Sequence, residues 1–372
     1  MLSGLRVLDL TRVLAGPLAT MMLGDLGADV IKVERPRDGD ETRGWGPPFD
    51  GSGQSAYFLS VNRNKKSVVA DLNVPGDRNL VVSLMATADV VVDNFRSGML
   101  ERRDLSPRLF LADHPSLIWC TITGFGPEVD RPGYDFVLQA ERGLMAITGE
   151  PEGKPTKVGV ALADILAGKD AVIAILAALV ARGNDPSRRG QRVFISISQS
   201  TAAALVNIAQ NALVTGEEAE RWGNAHPNLV PYQLFETADR PLVIAVGSDA
   251  QWIACALTLS LSELAADRRL DTNAGRVAQR ALVVSAMSTR LLTRSAAEWQ
   301  SDLGRAGVPC GVVKGVLEML REVECSPLTG VAPSVPGRIR YPPPMLDEHG
   351  DEIRRLGWAA FSGVGSRESR VE

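Results

Sequence analysis

Apolar and polar positions alternate through "LRVLDLT" (5–11), recur at helical spacing through "AGPLATMMLGDLGA" (15–28), and alternate again in "DVIKVE" (29–34). Strand, helix and strand in that order predict a parallel βαβ unit. The pattern continues with a strand at "SVVADL", a helix at "GDRNLVVSLMATA" and a buried strand at "DVVVDNF". "RLFLADHP" then leads into the strand "LIWCTITGFG". The first 125 or so residues therefore read as an open, doubly wound α/β sheet. A long helix follows within 157–183, where Ile165, Val172, Leu176, Leu179 and Val180 keep helical spacing up to Gly183. "QRVFISIS" is a further strand, and "QSTAAALVNIAQNAL" is helical.

The texture changes near residue 215. "PYQLFETADRPLVIAVGS" predicts an antiparallel hairpin turning at Ala238-Asp239-Arg240-Pro241. The helices "AQRALVVSAMSTRLL" and "AAEWQSDLGRAG" and the short strand "VPCGVV" come next. The expected organisation is a large α/β domain over 1–215, a smaller α+β domain over 216–325, and a proline-rich tail (326–372) that returns to complete the large domain.

Ligands of such sheets bind beyond the C-terminal strand ends. Three tips qualify: Thr11-Arg12-Val13, Glu34-Arg35, and Asp93-Asn94-Phe95-Arg96. A nicotinamide dehydrogenase is the rival suggested by sheet type, and Glu34 resembles its ribose-binding acid. The first turn, "LTRVLAGP", lacks the GxGxxG that lets backbone approach a pyrophosphate.

Composition narrows the classes. The chain has 372 residues, 45% hydrophobic and 23% charged, which reads as soluble and globular. A net charge of −4 argues against nucleic acid as a partner. Asp9 and Arg12 interrupt the first apolar stretch, so no signal peptide is expected, and no run is long enough to span a membrane. The cysteines (Cys120, Cys255, Cys310, Cys325) and histidines (His114, His226, His349) are scattered. That predicts buried thiols in the cytoplasm, with no disulfide framework and no metal site.

One residue stands out chemically. Asp164 sits where the long helix should begin. A carboxylate there suits the unpaired N–H groups and the positive end of the helix dipole, worth about 0.3–1 kcal/mol. Two details favour chemistry instead. The approach "VGVALA" is too apolar for an ordinary surface loop. Gly168, one turn on, costs about 1 kcal/mol relative to alanine and leaves room beside the carboxylate.

Nine stretches together resemble one family. They include "LSGLRVLDLTRVLAGPLATMMLGDLGADVIKVERP", "GDETRGWGPPF", "FLSVNRNKKSVVADL", "RPGYDFVLQAERGLMAITGE", "VGVALADILAG" and "NAHPNLVPYQLFETADRPLVIAVGSDAQW", in order over residues 2 to about 345. The chain resembles the family III CoA-transferases, also called the CaiB/BaiF family. That family includes formyl-CoA transferase and, as a branch, α-methylacyl-CoA racemase. The resemblance implies a Rossmann-like large domain, a smaller α+β domain and an interlocked homodimer. It implies acyl-CoA and a small carboxylic acid as substrates, with no permanently bound cofactor. It makes Asp164 the catalytic carboxylate, which becomes an acyl carrier and then an aspartyl-CoA thioester. The helix N–H groups are expected to favour its ionised form.

The same resemblance implies CoA contacts at Val13, Arg35, Leu72, Asn94, Phe95 and Arg102, with Tyr134 beside the acyl group. Arg35 and Arg102 suit phosphates. Lys65 and Lys66 read as a solvated pair. Racemases of the branch carry a histidine where this chain has Tyr134, and tyrosine, with an ordinary pKa near 10, is a poor base at neutral pH. Transfer is therefore favoured over racemisation, and a non-catalytic CoA-binding protein would have no use for Asp164. Two departures argue against a formyl-specific enzyme. The glycine-rich shielding loop of formyl-CoA transferase has no counterpart in "IAVGSDAQW", and a lysine that holds CoA there matches Pro132. Arg142 and Arg221 are candidates for facing a dicarboxylate.

Overall fold

The computed structural model describes residues 1–362. Its larger unit comprises Met1–Met145, Lys157–Glu217 and the described residues from Val323 onward. Six parallel strands form its sheet: β1 (Arg6–Asp9), β2 (Asp29–Glu34), β3 (Lys65–Val69), β4 (Val90–Asp93), β5 (Ile118–Thr123) and β6 (Arg192–Ser196). Their order is β3-β2-β1-β4-β5-β6. The chain winds outward from β1 to one edge, then crosses back to β4 and winds to the other. This creates a switch point between the tips of β1 and β4, where a doubly wound sheet opens a crevice.

Successive residues of the near-continuous apolar strands feed opposite faces. Val7, Val30, Val92, Ile118 and Cys120 join one core with helix α1 (Ala15–Asp25) and the long helix Leu162–Asn184. Leu8, Ile31, Val68, Val91 and Trp119 join the other, with the helix Pro75–Ala86. The described part of the tail lies along the outer edge of β3. Ser67 N–H donates to His349 Nδ1 and its carbonyl accepts from His349 N–H, while Val69 N–H donates to Asp347. Residues 363–372 of the expected returning tail lie outside the described residues.

α1 and the long helix meet backbone to backbone. A methyl group on Gly168 would lie 2.7 Å from the Ala15 carbonyl oxygen, so the glycine serves this contact. Gly168→Ala gains about 1 kcal/mol of helix propensity but must push α1 away. A net loss of about 1–3 kcal/mol is expected from such overpacking. Urea denaturation checks this. An unchanged midpoint would mean that α1 shifts without cost.

The smaller unit holds Glu218–Glu322 and also Ala146–Thr156, a segment that hydropathy alone assigned to the large domain. Arg221 explains the difference, because its guanidinium donates to the carbonyls of Ala146, Glu150, Pro151 and Gly153. The guanidinium is thus committed to its own unit's backbone. The three-stranded antiparallel sheet of this unit contains β7 (Tyr232–Phe235), β8 (Leu242–Ala245) and β9 (Cys310–Val312), ordered β7-β8-β9. Among the described residues no helix is long and apolar enough to cross a membrane. Cys120 and Cys255 are buried, Cys310 is half-buried and Cys325 is exposed, so the expectation of buried thiols fits only the first two.

Candidate active site

Asp164 is the third residue of the long helix. It does not cap that helix. The Ala163 N–H donates instead to Asp135 Oδ1 at 2.8 Å, from the first residue of the helix Asp135–Glu141. The buried Gln139 side chain completes the arrangement. Its Nε2 donates to Asp135 Oδ2 and to the Val160 carbonyl, and its Oε1 accepts from Val158 N–H. The two segments are thereby knitted together, and Asp164 is left free. It is 9% exposed, and its carboxylate has no hydrogen-bond or ion-pair partner among the described residues.

Burial first, and then the negative charge of Asp135, push the Asp164 carboxyl up to about 7. This corrects the expectation that helix N–H groups hold it ionised. With Asp135 occupying the Ala163 amide, desolvation dominates. The segment before it departs from expectation too. Val160 is 55% exposed, so "VGVALA" does not wall off the carboxylate within this chain.

Asp164 lines a cavity of about 280 Å³ at the switch point, together with Arg12, Val13, Asn94, Phe95 and Tyr134. A second cavity of about 150 Å³ adjoins β2 and β3 and is lined by Arg35, Asp40, Leu72, Phe95 and Arg103. Arg12 and Phe95 border both, with the Arg12 guanidinium 5.9 Å from the Phe95 ring centre. The structure thus gathers Val13, Asn94, Phe95 and Tyr134 around Asp164, and Arg35 and Leu72 around the second cavity. Arg35 is 46% exposed on its side chain and stands 3.8 Å from Glu41. Arg102 is exposed and lines neither cavity; its neighbour Arg103 does. Tyr134 is 63% exposed. The Asn94 amide is committed at both ends, accepting from Arg12 N–H and donating to the Arg12 carbonyl. Arg142 donates to the Ser198 hydroxyl.

The charged residues beneath the site are buried, which overturns the reading of Lys65 and Lys66 as solvated. Lys65 Nζ bonds Asp9, Asn62 and the Pro17 carbonyl, and burial pushes its ammonium down to about 8 against the attraction of Asp9. Lys66 bonds Glu352 and the Ala360 carbonyl. Glu34 is held by Arg43 and Ser67, so it has no free carboxylate for a ribose.

Two residues near the site escaped the sequence reading. Tyr57 packs edge-on against Trp45. Burial, then the charges of Asp164, Asp135 and Asp40, push its phenol up to about 12. Asp40 lies in "GDETRG", a stretch quoted only as a matching piece. Its burial beside Lys32 is a tertiary fact with no local signature.

The family model for CoA-transferase family III matches residues 2–332. The chain belongs to CoA-transferase family III. As a family III chain it is similar to the succinate–glutarate CoA-transferase of Agrobacterium fabrum, at 44% identity over 329 residues covering 86% of this chain and 82% of that protein. The succinyl-CoA:glutarate CoA-transferase of Homo sapiens is 40% identical over 377 residues, covering 95% and 85%. Among solved structures, a CaiB/BaiF family protein from Brucella suis superposes with a TM-score of 0.84 at 39% identity, covering 95% of this chain and 98% of that one. This family III chain is a CoA-transferase, and the mixed α/β architecture with its six-stranded parallel sheet is consistent with the CaiB/BaiF fold.

Proposed function

We propose that this CoA-transferase moves CoA from the CoA thioester of one short dicarboxylic acid to another, with Asp164 as nucleophile. The carrying observation is a buried carboxylate that nothing else employs, open to a cavity at the switch point. The names of the relatives point to succinate and glutarate as the acids.

Asp164 in its carboxylate form attacks the thioester carbonyl, and CoA thiolate leaves, giving a mixed anhydride. The thiolate attacks the Asp164 carbonyl of that anhydride and expels the donor acid as its carboxylate. This leaves an aspartyl-CoA thioester. The acceptor carboxylate attacks the thioester carbonyl and expels CoA thiolate, forming a second anhydride. The thiolate then attacks the acceptor's carbonyl and frees Asp164. No net proton or water is consumed. A carboxyl near 7 suits this, since an unstabilised carboxylate is both a better nucleophile and, once acylated, an unstrained neutral group. CoA is a substrate here, lying along Val13, Phe95, Leu72 and Arg35, and no permanently bound cofactor is part of the reading. Anhydrides need dry surroundings. The exposed faces of Tyr134 and Val160 leave that cover to a second copy of the chain, in the interlocked homodimer implied by the resemblance.

The test is a matrix of succinyl-, acetyl- and formyl-CoA against glutarate, succinate, oxalate and acetate, read by mass spectrometry. Succinyl-CoA with glutarate is expected to exceed any monocarboxylate pairing by at least about tenfold, equivalent to about 1.4 kcal/mol of discrimination. Equal rates with acetate as acceptor, or with acetyl- or formyl-CoA as donor, would defeat the dicarboxylate assignment.

A further inference from the structure

Val13 has a φ of +73°. For a β-branched residue this left-handed backbone is disfavoured and persists only where surroundings enforce it. The surroundings are unusually complete. The Val13 N–H is shared between Asp40 Oδ1 at 3.2 Å and Oδ2 at 3.3 Å. Lys32 Nζ ties Asp40 Oδ2 (3.0 Å) to the Thr11 carbonyl (2.9 Å), so β2 grips the same turn. Asp40 is itself fixed by the Thr42 N–H at 3.0 Å and hydroxyl at 2.8 Å. From the far side of the switch point, Asn94 grips both polar groups of Arg12, at 3.0 and 2.8 Å. Lys32 and Asp40 are essentially inaccessible. The turn leads directly into α1, whose Ala15 carbonyl abuts Gly168 of the Asp164 helix.

We propose that Asp40 and Asn94 are positioning residues that lock the Arg12–Val13 turn in its left-handed shape, so that one rigid turn serves both the Asp164 cavity and the neighbouring cavity. The Asp40 carboxylate acts through the turn, its oxygens being taken by Val13, Lys32 and Thr42. Asp40 does not line the first cavity, and it is 1% exposed where it backs the second. A strained turn held by buried hydrogen bonds costs no ordering when ligand arrives, whereas a relaxed turn would have to be reshaped by binding.

The proposal rests on the functional reading only for its turnover arm. CoA affinity is measured by calorimetry, and succinyl-CoA:glutarate turnover by mass spectrometry, on wild type, Asp40→Ala, Asp40→Asn and Asp40→Ala/Val13→Gly. Asp40→Ala is expected to weaken CoA binding and to lower kcat by at least about tenfold each. Asp40→Asn keeps a carbonyl oxygen for the Val13 N–H and should lose less. Glycine adopts positive φ without penalty. Val13→Gly alone, measured alongside, reports what the lost valine contact costs. Asp40→Ala should then cost at least about threefold less CoA affinity in the Val13→Gly background than in wild type. A bulk stabilising role predicts an equal or larger loss there, since truncating a second side chain would only harm the fold further. Unchanged CoA affinity in Asp40→Ala, or an equal loss in the glycine background, overturns the proposal. Should Asp40→Ala not fold, Asp40→Asn with and without Val13→Gly decides on the same criterion. Absence of turnover in the wild type would count against the proposed function and leave the binding arm to judge the turn.

Discussion

Asp164→Ala and Asp164→Asn are each expected to lower transfer by on the order of 10⁴-fold or more, as removal of a covalent nucleophile does, while the protein stays folded and still binds CoA. The helix keeps its start in both variants, because the Ala163 N–H is held by Asp135 rather than by Asp164. Hydroxylamine added with succinyl-CoA should trap wild-type Asp164 as a hydroxamate, since both the anhydride and the aspartyl thioester are electrophilic. Peptide mass spectrometry reads the adduct. A racemase on the same scaffold would not acylate its aspartate, and would wash solvent deuterium into the α-carbon of a 2-methylacyl-CoA with no acceptor acid present. Deuterium uptake without a hydroxamate would replace the transferase mechanism by proton abstraction. With the Asp164 carboxylate as the proposed nucleophile, kcat/KM should rise with pH and level off above about 7.

The same carboxyl should burden the fold in alkaline solution. Its folded value of about 7 lies above the ordinary 3.8, so the folded chain holds the proton more tightly than the unfolded one. The associated stability is fully present below pH 3.8, declines as pH rises through about 7, and is constant above. Asp164→Asn has no proton to lose. Relative to wild type it should therefore gain stability across that window, by up to about 4 kcal/mol at 1.36 kcal/mol per pH unit. Apart from Asp135 and Tyr57, which feel the Asp164 charge, the other titrating groups are shared by the two chains and cancel in the difference. Urea denaturation of both proteins from pH 4.5 to 8 gives the curve. Two parallel stability profiles would mean that Asp164 is solvated or ion-paired in solution, contrary to its unpartnered, buried setting.

The six strands were legible either from alternation, as in "DVIKVE", or from an unbroken run such as "VVVD", which a parallel sheet covered on both faces needs. The hairpin was legible because its turn residues are local. The helical stretch after β6 is less simple. It is two helices, Ile197–Ala203 and Val206–Thr215, parted where Val206 takes a φ of +40°, with no glycine or proline to announce it. The site divides along the same line. Periodicity left Asp164 between capping and chemistry, and only the resemblance chose. The structural reason it is spared from capping is Asp135, which takes the Ala163 N–H from 28 positions earlier in the chain. Hydropathy likewise misplaced the two lysines of β3, because a charge in sequence looks solvated until its partners, 56 and 286 residues away, are known. The left-handed Val13 was hidden for the opposite reason, since valine is among the last residues a reader would place there.

The tail along β3 bears on how the chain is made. A ribosome releases the first 217 residues long before residues 341–354, so β3 must wait with its outer N–H and C=O groups open. An open strand edge is a template for other nascent chains. Closing it joins Asn64 to Arg340 and Lys66 to Glu352 across 276 and 286 positions, contacts of the slow-forming, long-range kind. Completion of the larger unit thus waits for the tail, and until then the edge of β3 is open to mispairing.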